Sequence, residues 1–208
     1  MLLIDFDNRF RTDGYVNICG VDEAGRGPLA GPVFAAAVIL PVNFSAPSLD
    51  DSKKLTPKKR DVLFDFITQN AVAYHIAQAD EAEIERFNIL GATMLAMQRA
   101  IDGLPINPDF ALIDGNHAPE LKIPLKTIIG GDGKSAVIAA ASILAKVSRD
   151  RYLIELGRLY PQYAFAKHKG YGTKLHYQML DAYGTCPAHR ESFLTKWKAG
   201  KQNAEAKI

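Results

Sequence analysis

A chain of 208 residues, 48% hydrophobic and 23% charged, has the composition of an ordinary globular domain with one core and room for a small appendage. Its net charge of +2 points to no partner, so any basic surface must come from local clustering. Cys19 and Cys186 form neither a CxxC pair nor a zinc set, Met1 to Arg11 lacks an apolar signal core, and no apolar run approaches the ~20 residues of a membrane helix. These features predict a reduced, cytoplasmic, monomeric protein that makes no membrane contact.

The first apolar, β-prone run is Val16 to Val21, and it leads into Asp22. Residues 23–32 hold three glycines and two prolines and read as a loop. Val33 to Leu40 is a continuous apolar run, the pattern of a buried strand. Thr56 as cap and Pro57 at the first helical position start a helix that runs to about Gln69. Ala71 to Ala79 reads as a third strand, close enough to the first two for an antiparallel meander.

Apolar residues at 90, 94, 97 and 101 mark one face of a helix from Asn88 to Ile101. Short strands follow at Phe110 to Ile113, ending at Asp114, and at Leu125 to Ile129. A long helix spans Ser135 to about Tyr160, then come a basic, aromatic loop and a helix from Thr173 to Tyr183. The order predicts a mixed α/β fold.

Asp22 and Glu23 follow the first strand, Asp114 ends another, and Asp132 lies in a Gly-Gly-Asp-Gly turn before the long helix. Each aspartate beside a glycine reads equally well, alone, as a turn or cap residue. If the four meet, like-charged pairs about 4 Å apart repel by roughly 4 kcal/mol each at an effective dielectric of 20, so the cluster demands cations. Oxygen-only ligands favour Mg²⁺ or Mn²⁺, and two such ions suit phosphodiester hydrolysis.

Gly25-Arg26-Gly27 gives a backbone that a ligand can approach closely, with a guanidinium for phosphate and sugar oxygens, although a lone GRG also reads as a turn. Lys167 to Lys174 holds three lysines around Tyr171, a pattern suited to a nucleic-acid backbone and equally to a solvated loop. Lys53 and Lys54 are candidate phosphate contacts on what is otherwise a solvated face. Gly133-Lys134-Ser135 looks like the end of a phosphate-binding P-loop, but the required upstream glycine is Ile128. The histidines form no HExxH pattern. The tail from Lys196 to Lys201 is either disordered or a source of nonspecific affinity.

The stretch Gly20-Val21-Asp22-Glu23-Ala24-Gly25-Arg26-Gly27-Pro28-Leu29-Ala30-Gly31-Pro32-Val33 resembles the signature of type 2 ribonucleases H, the bacterial ribonucleases HII. Further matches follow in order: Asp51 to Leu55, Asp114-Gly115-Asn116, Gly131-Asp132, Ala139 to Val147, His168 to Thr173 and His189 to Phe193. The resemblance implies a ribonuclease H-like fold, a five-stranded sheet flanked by helices. It implies one catalytic domain over 1–208, with residues from about 161 forming a small helical C-terminal part.

It further implies hydrolysis of the RNA strand of RNA–DNA hybrids and of DNA containing single ribonucleotides, with Mn²⁺ or Mg²⁺ as cofactor. Asp22, Glu23, Asp114 and Asp132 match the family's catalytic, metal-holding carboxylates. Gly25, Arg26 and Gly27 match its sugar-phosphate loop, and Tyr171 its junction-sensing tyrosine. Lys53, Ser142, Lys146 and Lys169 are further expected substrate contacts. Two alternatives remain: a nucleic-acid-binding module with a degenerate site, whose mark is loss of an acid, and a ribonuclease HIII-like preference for long hybrids.

Overall fold

The computed structural model describes residues 2–46, 49 and 55–205, with side chains as far as Lys201. The sheet has five strands: β1 (Ile18–Ala24), β2 (Val33–Ile39), β3 (Ala73–Ala79), β4 (Phe110–Asp114) and β5 (Leu125–Ile128). Their spatial order is β3-β2-β1-β4-β5. The first three pair antiparallel, as the short connections predict, while β4 and β5 run parallel to β1. Asp22 and Glu23 lie inside the last turns of β1 rather than after it, paired with Ala36 and Ala35 of β2. The parallel pairing of β1 with β4 carries the C-terminal end of each strand, and so Asp22 and Asp114, to the same edge of the sheet.

One face of the sheet is covered by α4 (Ala136–Leu159), with α1 (Leu3–Thr12) and α2 (Pro57–Asn70) beside it. The other face is covered by α3 (Glu81–Asp102). Thr56 and Ser135 cap α2 and α4 by accepting from the amides of Lys59 and Ile138. The Ala-rich start of α4 has a packing reason: a Cβ on Gly20 of β1 would lie 2.1 Å from the carbonyl carbon of Val137. Backbone thus packs against backbone beneath the acidic end of β1.

Helix α3 begins seven residues before the expected Asn88, on a capping box between Asp80 and Glu83. Asn88 breaks it at φ 56° and then caps the second segment, accepting from Leu90 and Gly91. Helix α1 has no counterpart among the expected elements; it docks on α4 through buried Asp7, whose Oδ2 accepts from the Val137 amide at 3.0 Å. The expected 161–172 loop contains a 3-10 turn at Pro161–Tyr163 and a short helix, α5 (Phe165–His168). Helix α6 (Lys174–Tyr183) follows, capped by Thr173. The tail is helical as α7 (Thr195–Glu205), not a disordered strand of chain. Among the described residues no helix is long and apolar enough to cross a membrane.

Candidate active site

A cavity of about 370 Å³ opens at the acidic end of the sheet, walled by Asp22, Glu23, Ala24 and Gly25 of β1 and its loop, Asp114 of β4, Ser142 and Lys146 of α4, Arg60 of α2, and Tyr171. Asp22 is almost fully buried. Its carboxylate is pushed well above the usual range, first by burial and then by the charges of Glu23 and Asp114. The amide of Glu23 at 2.7 Å and the Ser142 hydroxyl only partly offset this. Glu23 is also raised, burial outweighing the Arg26 guanidinium 3.5 Å away.

Asp114 is held by the Gly131 amide, which donates to its Oδ1 at 2.6 Å. A Cβ on Gly131 would meet Ile138 Cδ1 at 2.6 Å, so only glycine lets that amide come so near. The next residue, Asp132, sits buried in the 3-10 turn Gly131–Gly133. The structure therefore brings Asp22, Glu23 and Asp114 to one cavity and leaves Asp132 adjacent, outside its wall. Among the described residues no three ligating side chains converge into a ready-made ion cage. The donor chemistry nevertheless fits a divalent cation: the carboxylates of Asp22 and Glu23, both raised by burial and by neighbouring acids, face a space shared with Asp114. The wall's lysine, Lys146, is bound to Asp150 at 2.7 Å.

Gly25 adopts φ +100°, a conformation suited to glycine, and Arg149 packs against its Cα. Tyr171 is partly exposed and lines the cavity, with the Arg149 guanidinium 5.9 Å from its ring centre. Lys169 does not reach this cavity. It lines a neighbouring one, also of about 370 Å³, between α2 and α4, and its ammonium donates to Ala166 O. Arg60 joins the walls of both cavities, a position the sequence alone does not single out. Lys53 and Lys54 lie outside the described residues.

Two residues that sequence reasoning passed over hold this arrangement. Arg149 and Arg190 are fully buried, and among the described residues their guanidiniums donate to loop carbonyls. Arg149 serves Ala30, Pro32 and Lys169; Arg190 serves Gly25, Arg26 and Gly31. Arg190 was visible only as part of the His189–Phe193 match, and Arg149 only as one charge beside Asp150 and Arg151 in the long helix.

The family model described as ribonuclease HII matches residues 19–198. A ribonuclease HII of Desulfitobacterium hafniense is 58% identical over 181 residues, covering 87% of this chain and 70% of that one. The ribonuclease H2 structure from Pyrococcus horikoshii OT3 superposes with a TM-score of 0.74 at 23% identity, over 90% of this chain and 98% of that one. The structure of Bst-RNase HIII in complex with Mn²⁺ gives a TM-score of 0.61 at 17% identity, over 86% of this chain and 65% of that one.

Proposed function

The chain belongs to the ribonuclease HII family of endoribonucleases, and from that premise we propose that it cuts 5′ of single ribonucleotides embedded in duplex DNA as well as within the RNA strand of hybrids, leaving 5′-phosphate and 3′-hydroxyl ends. The observation that carries this reading is the one cavity shared by Asp22, Glu23 and Asp114 with Gly25 and Tyr171. It sets phosphodiester chemistry beside groups able to read a sugar.

Asp22, Glu23, Asp114 and the adjacent Asp132 are the residues that would hold two Mg²⁺ or Mn²⁺ ions. When bound, such ions supply a water nucleophile and neutralise charge on the leaving oxygen. The chain's own groups do the selecting. Arg26 and the flanking Gly25 and Gly27 amides suit the sugar-phosphate oxygens at the RNA–DNA junction. The Tyr171 hydroxyl and ring suit the 2′-hydroxyl region and the next sugar. Ser142 and Lys146 contact the strand along α4, while Lys169 and Lys53 add phosphate affinity. A site built to hydrogen-bond a hydroxyl can reject the analogue lacking it by ~10⁴–10⁵-fold, because its polar groups are left unpaired.

In this reading the enzyme works as a cytoplasmic monomer on nucleic acid, as one catalytic domain whose residues from about 161 form a small helical unit against the site. Duplex DNA bearing one ribonucleotide, set beside a uniform hybrid with Mg²⁺ or Mn²⁺ and then with excess EDTA, tests it. Cleavage of both substrates that EDTA abolishes reversibly is expected. Cleavage of the uniform hybrid alone would favour the ribonuclease HIII-like preference, and full activity in EDTA would refute the metal reading.

A further inference from the structure

His168, His176 and His189 are buried together behind the Tyr171 loop, packed around Phe165. The rings of His168 and His176 stack at 4.3 Å. Their hydrogen bonds fix every proton. The Cys186 amide donates to His189 Nδ1 at 2.9 Å, and an amide can only donate, so that nitrogen carries a lone pair. Cys186 O, 3.3 Å from the same nitrogen, already accepts from the His189 amide at 2.9 Å. The proton of neutral His189 is therefore on Nε2, which faces His176 Nε2 at 3.1 Å and donates to it. That leaves the His176 proton on Nδ1, which donates to the Tyr171 carbonyl at 3.0 Å.

His168 closes the other side. It accepts from the Gly170 amide at 3.2 Å on Nδ1 and donates from Nε2 to Tyr163 O at 2.7 Å. All three imidazoles are accordingly neutral, and burial pushes His176 down to about 4, with His168 and His189 also lowered.

We propose that His176 is a positioning residue for Tyr171: a one-way hydrogen-bond relay, Cys186 amide to His189 to His176 to Tyr171 carbonyl, sets where the tyrosine presents its hydroxyl to the sugar. The relay reaches past the tyrosine's exposed ring to its backbone, so it acts on orientation without touching substrate. The inference rests on the reading of Tyr171 as the sugar contact.

Two measurements test it. Long-range ¹H–¹⁵N spectra of the unmodified protein at neutral pH should show His176 as the Nδ1–H tautomer and His189 as the Nε2–H tautomer. His176 protonated on Nε2, or a doubly protonated ring, overturns the relay. In a cleavage assay on duplex DNA with one ribonucleotide, His176→Phe keeps a ring of similar size but removes both nitrogens. It should lower kcat about ten-fold, the scale of one lost hydrogen bond. His176→Asn, whose amide can still donate to Tyr171 O, should recover most of that loss.

In a Tyr171→Ala background the His176→Phe loss should vanish, because the two act through one contact. An undiminished loss there overturns the positioning role alone. A Tyr171→Ala enzyme that cleaves normally sinks the sugar-contact reading, and the relay's purpose with it.

Discussion

Arg190 donates from Nη2 to the carbonyl oxygen of Gly25 at 2.7 Å, tying the last motif of the chain to the loop that follows β1. The same guanidinium donates to Arg26 O at 3.0 Å and to Gly31 O at 2.6 and 2.8 Å. In a planar trans peptide the carbonyl and the next amide point opposite ways. Holding the Gly25 and Arg26 carbonyls on Arg190 therefore turns the amides of Arg26 and Gly27 away from it, free to meet a ligand. The cost is a fully buried cation, its guanidinium pushed down to about 9 mainly by burial and secondarily by Arg149.

Arg190→Gln would leave two or more of these carbonyls unsatisfied. It should destabilise the protein by about 3 kcal/mol or more. Arg190→Lys should recover only part of that, because a single ammonium cannot span the guanidinium's fork. Urea denaturation measures both. An unchanged midpoint for Arg190→Gln would show that the loop does not depend on the clamp.

The strands and capped helices were legible because their signals are local. Thr56 before Pro57, Ser135 before an alanine run and the apolar run into Asp22 act over a few residues. Helix α1 was not, since its anchor is Asp7 meeting an amide 130 residues away, and nothing in Leu3–Thr12 itself announces that contact. Arg149 and Arg190 are not singled out by the sequence as buried, since arginine rarely is; the carbonyls that justify burying them come from a distant loop. His168 and His189 head two of the ordered matches, but nothing in the sequence joins them to His176, because their relation is spatial, through α5, α6 and the turn at His189. The family resemblance groups Asp132 with the other acids; in the structure the 3-10 turn aims the Gly131 amide at Asp114 and leaves Asp132 beside the cavity rather than in its wall.

Asp22 and Asp114 carry opposing consequences for stability and activity. Burial, and then the charges of Glu23 and Asp114, raise Asp22, so Asp22→Asn should leave the metal-free protein as stable as the parent or more so. The same change, and Asp114→Asn, should lower the cleavage rate by orders of magnitude while substrate binding persists. Mn²⁺ should raise the melting temperature of the parent, since a ligand that binds only the folded state stabilises it, and raise that of either variant less. Near-parental cleavage by both variants would move the catalytic centre elsewhere.

Acid stability should reflect two buried groups of opposite sign. Burial raises Asp7 from 3.8 to about 6, so between those values the folded state binds the extra proton and stability grows as pH falls. His176, lowered from 6.5 to about 4, behaves oppositely: the unfolded chain binds the proton, and stability is lost as pH falls through that window. Each contributes a slope of about 1.4 kcal/mol per pH unit, and the two offset each other between roughly pH 4 and 6. Asp7→Asn removes one side of the balance. Its unfolding free energy, followed across this range, should fall more steeply with acid than that of the parent. Parallel curves for the two proteins would mean that Asp7 is ionised normally.

Gly25 and Gly27 flank the same arginine, yet the structure demands glycine only at the first. Gly25 holds φ +100°, and a Cβ there would lie 2.0 Å from Arg149 Nε, a side chain fixed by its own carbonyl contacts. Gly27 has an ordinary φ, and a Cβ there meets no described atom within 4 Å. Gly25→Ala should therefore destabilise the fold by about 1–3 kcal/mol through backbone strain and displacement of Arg149. Gly27→Ala should change stability by no more than about 0.5 kcal/mol, as expected for an open surface position. If the loop backbone approaches the sugar at the junction, the methyl group of Gly27→Ala instead occupies the substrate's space. Cleavage at a single ribonucleotide should then fall by about ten-fold or more, the equivalent of about 1.4 kcal/mol of lost contact, while the melting temperature holds. Melting curves and kcat/KM for the two variants separate a glycine kept for folding from one kept for substrate. Parental kcat/KM for Gly27→Ala would restrict the close approach to Gly25 and Arg26.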